Sequence, residues 1–462
     1  AKGSPSTIDW FVDEDGTILA REEFREKDHI YRVLKGRNGN LEKIYEEKDV
    51  TIPSLSVLAV SSDKSALIVG TRSDGEQFDR VARLSFDGKL SPPLYATEGR
   101  DFESIVKSQN RVALGVKFSG MTPKYQMNDP ALNSMLAELA VMYEGASVHL
   151  LGWTGDFKKL LLFIEGGSQA PGYHILDVEK KSIAQIARSY ARIADEDIGE
   201  TLAIEYKARD GRKIPAVLTL PPGKQLGETL PLIVMPHGGP ESYDAIGFDY
   251  MAQFFASRGY LVFQPNFRGS GGFGIDHLEA GYGEWGGKMQ DDVTDGAELL
   301  IRKKWADSAR VCIVGGSYGG YSALAGGAYT PDLYKCVAAI APVSDLNAML
   351  IEEKTESGKD SATYAYWTML IGDRGKEKAK IEAISPVNAA ENFKAPVLLL
   401  HGSDDTVVPY SQSSRMEAAL KKAGKDVRLV KLKGEDHWLS QSETRLQALK
   451  ELDAFIAAHI GG

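Results

Sequence analysis

The chain has 462 residues, 43% hydrophobic and 26% charged, with a formal net charge of −10; it can bury sizeable cores and is too long for one typical domain. No apolar run approaches the ~18 residues of a membrane helix, and acidity without blocks of like charge argues against a nucleic-acid surface. Eight histidines with no His-x-x-x-His spacing and no His/Cys cluster predict no metal.

The first ~195 residues read as short alternating strands punctuated by turns such as Asp13-Glu14-Asp15-Gly16, Asn38-Gly39, Ser62-Asp63-Lys64, Asp74-Gly75 and Asp87-Gly88. Residues 55–90 and 148–188 look like two copies of one unit: strand, turn, apolar strand, strand. Repeats of about 40 residues point to propeller blades. A helix is expected at Asp129 to Tyr143, between the copies.

The boundary is expected near Ile193 to Gly199, giving a β-propeller region at 1–195 and a second domain at 196–462. There the pattern changes to an antiparallel opening at 204–208 and 213–220, then strands at 231–236 and 260–264 with helices at about 247–258 and 287–304. The strand at 311–315 leads into a helix at 318–328, and strands follow at 336–341, 395–400 and 426–432. Alternation of this kind means a mostly parallel, doubly wound sheet, an α/β fold. The only two cysteines, Cys312 and Cys336, fall in apolar strands of this part; buried thiols are expected rather than a disulfide, which suits a cytoplasmic location.

The strand 311–315 runs into Gly315-Gly316-Ser317-Tyr318-Gly319. Gly-x-Ser-x-Gly between strand and helix is a nucleophile elbow, which lifts the hydroxyl above the sheet and aims a helix N-terminus at it. A hydroxyl is a poor nucleophile until a positioned base takes its proton, and that base needs an anion to fix its tautomer. With this elbow the partners follow in the order Ser, Asp/Glu, His, each after a later strand. Leu398-Leu399-Leu400 exits into His401-Gly402-Ser403-Asp404-Asp405, and the strand 426–432 leads to Glu435-Asp436-His437-Trp438. Asp405 is the orienting acid and His437 the base; His401 precedes the acid and reads as a structural hydrogen-bonder. The oxyanion needs two pre-aimed donors. One is the Tyr318 N–H; the other is the Gly239 N–H in His237-Gly238-Gly239-Pro240 after the strand 231–236, with Gly238 as the alternative.

Two motifs point elsewhere. Gly269-Ser270-Gly271-Gly272-Phe273-Gly274 matches Gly-x-Gly-x-x-Gly, but it follows a strand deep within the domain and no helix is expected to open there, so no dinucleotide cofactor is predicted. Asp291 and Asp292 are adjacent on a helix and point in different directions, which suits packing rather than glycosidase chemistry.

The second half resembles the catalytic domain of the prolyl oligopeptidase family of serine peptidases. The matching stretches are His237 to Pro240, Asn266-Phe267-Arg268-Gly269-Ser270, Gly283-Glu284-Trp285-Gly286, Gly315 to Gly320, Ser385-Pro386, His401 to Asp405 and Asp436-His437. His-Gly-Gly-Pro and Gly-Gly-Ser-Tyr-Gly-Gly are similar to the acylaminoacyl-peptidase and dipeptidyl-peptidase branches. The resemblance implies an α/β hydrolase covered by a β-propeller and acting on short peptides. It also implies that the first specificity pocket draws on the segment between nucleophile and acid. There Tyr366 is the expected wall, with Tyr364 and Trp367 behind it, favouring an apolar P1 side chain. Glu46-Glu47 faintly resembles the acidic pair by which dipeptidyl peptidases hold a free N-terminus, although a charged surface turn explains it equally.

One departure stands out. Family propellers commonly have more blades than the four or so that this segment holds at about 40 residues each, and the chain starts Ala1-Lys2-Gly3. A trimmed chain or a shortened propeller is expected; its open sheet edges would favour association, including a homo-oligomer. The same machinery cleaves esters, so a carboxylic-ester hydrolase is the alternative enzyme, and a silent binding protein the alternative from another class.

Overall fold

A computed structural model of the chain describes residues 3–37, 40–72, 76–95 and 99–461. The turns expected at Asn38-Gly39 and Asp74-Gly75 lie outside them. By contacts the chain forms two compact units: Ala1–Met142 with Gly272–Asp276 and Glu352–Thr368, and Tyr143–Gly271 with His277–Ile351 and Met369–Gly462.

The first unit carries three antiparallel sheets: β1 (Thr7–Val12), β2 (Ile18–Arg25), β3 (Ile30–Arg37) and β4 (Asn40–Lys48); β5 (Leu55–Val60), β6 (Ala66–Thr71) and β7 (Arg80–Ser85); and β8 (Phe102–Lys107), β9 (Ala113–Phe118) and β10 (Lys124–Met127). Strand period 2 explains how they stack. In β6, Leu67 and Val69 face Phe11, Tyr31 and Val33 of the first sheet, whereas Ile68 faces Val116 and Phe118 of the third. The helix between the two repeat copies is α1 (Pro130–Met142). Asp129 Oδ1 accepts the Leu132 N–H at 2.8 Å, capping it with Pro130 at the first helical position. Leu132, Leu136 and Leu139 bury one stripe.

The second unit opens with a four-stranded antiparallel sheet: β11 (Ser147–Trp153), β12 (Lys159–Gly166), β13 (Gln169–Asp177) and β14 (Ser182–Arg188). This sheet is tied to the segment before the next helix: Ser147 Oγ donates to Ile246 O at 2.5 Å and Phe248 N–H to Glu165 Oε2 at 3.0 Å. Division by contact therefore falls after Met142, whereas division by sheet type falls between Arg188 and Thr201.

The eight-stranded sheet comprises β15 (Thr201–Lys207), β16 (Lys213–Thr219), β17 (Leu230–Val234), β18 (Leu261–Pro265), β19 (Ala306–Gly316), β20 (Cys336–Ile340), β21 (Val397–Gly402) and β22 (Val427–Leu432). Their order is β15-β16-β18-β17-β19-β20-β21-β22; β15, β16 and β18 pair antiparallel and the rest are parallel. Helices α2 (Tyr250–Ser257), α3 (Ile275–Glu279), α4 (Lys288–Arg302), α5 (Tyr318–Tyr329), α6 (Leu346–Glu356), α7 (Ala362–Ile371), α8 (Arg374–Ala383), α9 (Ser411–Lys422) and α10 (Ser442–Ile460) follow in chain order. Central strands covered on both faces read as unbroken apolar runs. One face of the sheet, with Ile233, Val262, Val314, Ala338 and Leu400, packs on Phe255 of α2 and Leu452 and Ile456 of α10.

Two expectations need correction. Cys312 and Cys336 are joined as a disulfide, not left as free thiols. They stand opposite each other on the neighbouring strands β19 and β20, with Cα atoms 4.8 Å apart, so register brings the sulfurs together across 24 residues of sequence. The pairing removes the thiol argument for a reducing, cytoplasmic compartment. A short helix, α3, does open after the glycine-rich run. The Gly274 N–H is occupied by Asp101 Oδ2 at 2.8 Å and the Ile275 N–H by Gln77 O at 2.7 Å, so these donors already have protein acceptors.

Candidate active site

Ser317 sits between β19 and α5 with φ 58° and ψ −121°, a strained conformation for a residue with a Cβ. It is held there from both sides: its N–H donates to Ile340 O at 2.9 Å, and its carbonyl accepts the Tyr321 N–H at 3.0 Å. The turn works only with glycine at 319, because a Cβ there would lie 2.1 Å from Pro236 O. That close approach seats the loop after β17 directly on the first turn of α5.

The loops after β21 and β22 are stitched together. Ser403 N–H donates to Leu432 O at 2.9 Å and Asp404 N–H to Glu435 O at 3.0 Å. A Cβ on Gly402 would lie 2.3 Å from Glu435 O, so the glycine after His401 is what lets the loops meet. Across the seam, His437 Nδ1 lies 2.7 Å from Asp405 Oδ2. Asp405 Oδ1 accepts the Val407 and Val408 N–H groups, both at 2.8 Å. Burial pushes the Asp405 carboxyl up, but bonds from His401, His437 and the two backbone donors outweigh it and hold the pKa well below the usual range. It is therefore an anion facing Nδ1, which puts the ring proton on Nδ1 and leaves Nε2 free to accept. His401 is fully buried, 2.7 Å from Ser413 Oγ and 2.9 Å from Val408 O, and braces the Asp405 loop.

Tyr318, as the first residue of α5, has an N–H with no intrahelical acceptor. Its ring is buried against Trp285 at 4.5 Å and Phe267 at 5.2 Å. In the facing loop, a Cβ on Gly238 would lie 3.5 Å from Ser317 Cβ, whereas one on Gly239 would face Glu241 and Ser242. His237 braces this loop, a part that sequence reasoning did not assign. Its ring stacks on Phe267 at 4.4 Å, Nδ1 lies 2.8 Å from Gly238 O and Nε2 lies 2.9 Å from Ser270 Oγ. Desolvation pushes its pKa down to about 4, so the ring is neutral at pH 7. Ser270 Oγ in turn donates to Phe267 O at 2.7 Å, which ties the His237 ring to the loop after β18.

A cavity of about 410 Å3 adjoins the elbow, with Gly238, Gly316, His437, Trp438, Asp244 and Asp249 in its walls. The two aspartates also escaped sequence reasoning; Asp249 looks like any N-cap, and it does cap α2 through Oδ1 to the Met251 and Ala252 N–H groups. Desolvation, then the Asp249 charge, pushes Asp244 up to about 8, and desolvation also raises Asp249.

Tyr364, Tyr366 and Trp367 stand half-buried on α7, within the stretch 352–368 that belongs to the first unit. Tyr366 meets Trp367 edge-on at 5.1 Å, and Lys354 lies 6.0 Å from the Tyr364 ring. Glu46 bonds Arg32 and Lys43, while Glu47 accepts from Tyr45 and Ser54. Asp291 pairs with Arg209 and Asp292 with buried Arg268, in different directions as their adjacency on α4 demands. Among the described residues, no helix is long and apolar enough to cross a membrane, and no group of three or more His, Cys, Asp or Glu is placed to hold a metal.

The strand order, with a serine at the sharp turn after the fifth strand of the large sheet, defines an α/β hydrolase. Residues 246–462 match the prolyl oligopeptidase family. The chain thus carries the domain of that family of serine-type peptidases, beside an N-terminal all-β region of the propeller type. It is 28% identical over its whole length to dipeptidyl aminopeptidase BIII of Pseudoxanthomonas mexicana, of which it covers 68%. Over 56% of the chain it is 27% identical to the acylamino-acid-releasing enzyme of Sus scrofa, of which it covers 35%. In fold it is similar to a puromycin-hydrolyzing peptidase of Mycobacterium tuberculosis, with a TM-score of 0.81 and 23% identity over all of this chain and 71% of that one.

Proposed function

We propose that the chain hydrolyses short peptides through a Ser317–His437–Asp405 triad and an acyl-enzyme. His437 Nε2 takes the Ser317 proton as Oγ attacks the peptide carbonyl, and Asp405 holds the resulting imidazolium. The Tyr318 and Gly239 N–H groups meet the oxyanion. His437 then protonates the departing amine, and a water, activated by the same ring, releases the acid. The observation that carries this reading is the 2.7 Å contact of His437 Nδ1 with an Asp405 held as an anion, together with a strained serine at a helix N-terminus. The catalytic domain is taken as 196–462 and the propeller region as 1–195. For acyl-side specificity we retain Tyr366, Tyr364 and Trp367 as an apolar P1 wall; their aromatic density supports it. An acylaminoacyl-peptidase or oligopeptidase-like action is favoured, since the relatives' names include both an aminopeptidase and an acylamino-acid-releasing enzyme.

The test compares N-acetylated and free-amine peptidyl anilides of varied P1, wild type against S317A. Turnover abolished in S317A, along with fluorophosphonate labelling, is the expected result, and the substrates that turn over give the branch. Hydrolysis of p-nitrophenyl esters with no peptide cleavage would move the assignment to a carboxylic-ester hydrolase. Failure of wild type both to label and to hydrolyse any of these substrates would leave a binding protein.

A further inference from the structure

The cavity beside His437 has a chemical character that the triad does not use. Its walls bring together the catalytic-side backbone at Gly238 and Gly316, the ring of His437, the aromatics Trp438 and Tyr250, and two carboxylates, Asp244 and Asp249. No lysine or arginine stands among those walls in the described residues. Its volume of about 410 Å3 is in the range of small-ligand sites.

Which side of the scissile bond it serves follows from proton bookkeeping. The departing nitrogen must lie at His437 Nε2 to receive its proton, so the chain beyond that nitrogen extends along the His437 loop. The cavity has His437, Trp438 and Leu439 on its wall and so lies along that loop.

Both carboxylates are pre-positioned, and each has an oxygen to spare. Asp244 is clamped by Asn266 through its backbone, N–H to Asn266 Oδ1 at 2.7 Å and C=O from Asn266 Nδ2 at 2.8 Å, while its own Oδ2 has no hydrogen-bond partner. Asp249 commits Oδ1 to both cap bonds and is otherwise exposed. Glu165 adds a negative charge acting on Asp249. Desolvation and the Asp249 charge raise Asp244, and the Glu165 charge adds to the rise at Asp249, so a cation between the two carboxyls favours their ionised forms. Trp438, 67% exposed, offers a flat face for the stem or head of a long basic side chain.

We propose that this cavity is the leaving-group subsite and that Asp244 and Asp249 select a basic residue, Lys or Arg, immediately after the scissile bond. The proposal rests on the peptidase reading above. It adds no chemical step: the same C–N bond breaks, and only the group attached to the nitrogen is specified.

The experiment measures kcat/KM of the full chain on quenched peptides with one acyl part and Lys, Arg, Leu or Glu after the scissile bond, with a peptidyl anilide of the same acyl part as reference. Wild type is expected to favour Lys and Arg over Leu by about tenfold or more, and the ratio should shrink with added salt. In the double variant D244N/D249N the Lys:Leu ratio falls to near one. D249N alone serves if the double variant does not fold, because Asn caps a helix as well as Asp does; it should lower the same ratio. A flat wild-type series with the anilide still turned over, or a Lys:Leu ratio unchanged in the variants, overturns the subsite and leaves the peptidase intact. If neither peptides nor anilide are cleaved, the peptidase reading fails and this proposal falls with it.

Discussion

Replacing Asp405 with asparagine separates the charge at this position from its shape, because the surroundings dictate how the amide must sit. Oδ1 receives two backbone N–H groups at 2.8 Å, so that site accepts only an oxygen. The NH2 of D405N is thereby forced to the Oδ2 position, 2.7 Å from His437 Nδ1 and 3.4 Å from His401 Nε2. Facing a donor, His437 Nδ1 turns acceptor and the ring proton moves to Nε2, where the base should be. His401 cannot relieve this, since its Nε2–H, shared between Val408 O at 2.9 Å and the Oδ2 position at 3.4 Å, is itself a donor. The wrong tautomer at an intact geometry costs about 10⁴ in kcat for a triad of this type, or roughly 5.5 kcal/mol of transition-state stabilisation. The assay is kcat on a peptidyl anilide, with the thermal midpoint measured alongside; the midpoint should move little, because both backbone bonds survive. A D405N variant within tenfold of wild-type kcat would refute the assignment of Asp405 as the residue that orients His437.

Two further outcomes are expected. G319A should lower kcat by about 100-fold or more, since its Cβ would sit 2.1 Å from Pro236 O and relief needs a shift of about 1 Å at the elbow; G316A, whose Cβ would meet nothing nearer than Ile340 O at 3.8 Å, should be tolerated. His237 has its pKa depressed to about 4, below the ordinary value near 6.5. Its contribution to stability is thus complete above about pH 6.5 and is lost as pH falls towards 4, so urea midpoints should drop more steeply over that interval in wild type than in H237Q. Equal slopes would show that His237 is not held neutral by burial.

Much of the candidate site was legible because its parts are local. Gly-x-Ser-x-Gly between an apolar strand and a helix has few other uses, and the glycines state in advance that backbone must pass closely. The loops carrying Asp405 and His437 were readable because the first follows a continuous apolar run and the second an alternating one, 426–432, each ending in turn residues. The helix at 130–142 was readable from its apolar stripe and cap. The third all-β sheet, 102–127, was not singled out, since β8 buries little and β10 is only four residues long.

What stayed hidden depends on partners distant in sequence. His237 is a histidine among turn residues until Phe267 and Ser270 close around it. Asp249 is an ordinary cap until the β22 loop arrives opposite, and Asp244 is an ordinary loop acid until Asn266 clamps it. Cys312 and Cys336 read as two separate apolar positions, and only strand register makes them neighbours.

By itself, then, the amino-acid order determined the elements, the chain order of the proposed nucleophile, acid and base, and the places where glycine is obligatory, because these follow from short-range sterics and hydrophobic period. The tertiary structure decided the disulfide, the protonation state of His237 and the acidic cavity beside His437, because burial and electrostatic fields are sums over residues that meet only when the sheet assembles.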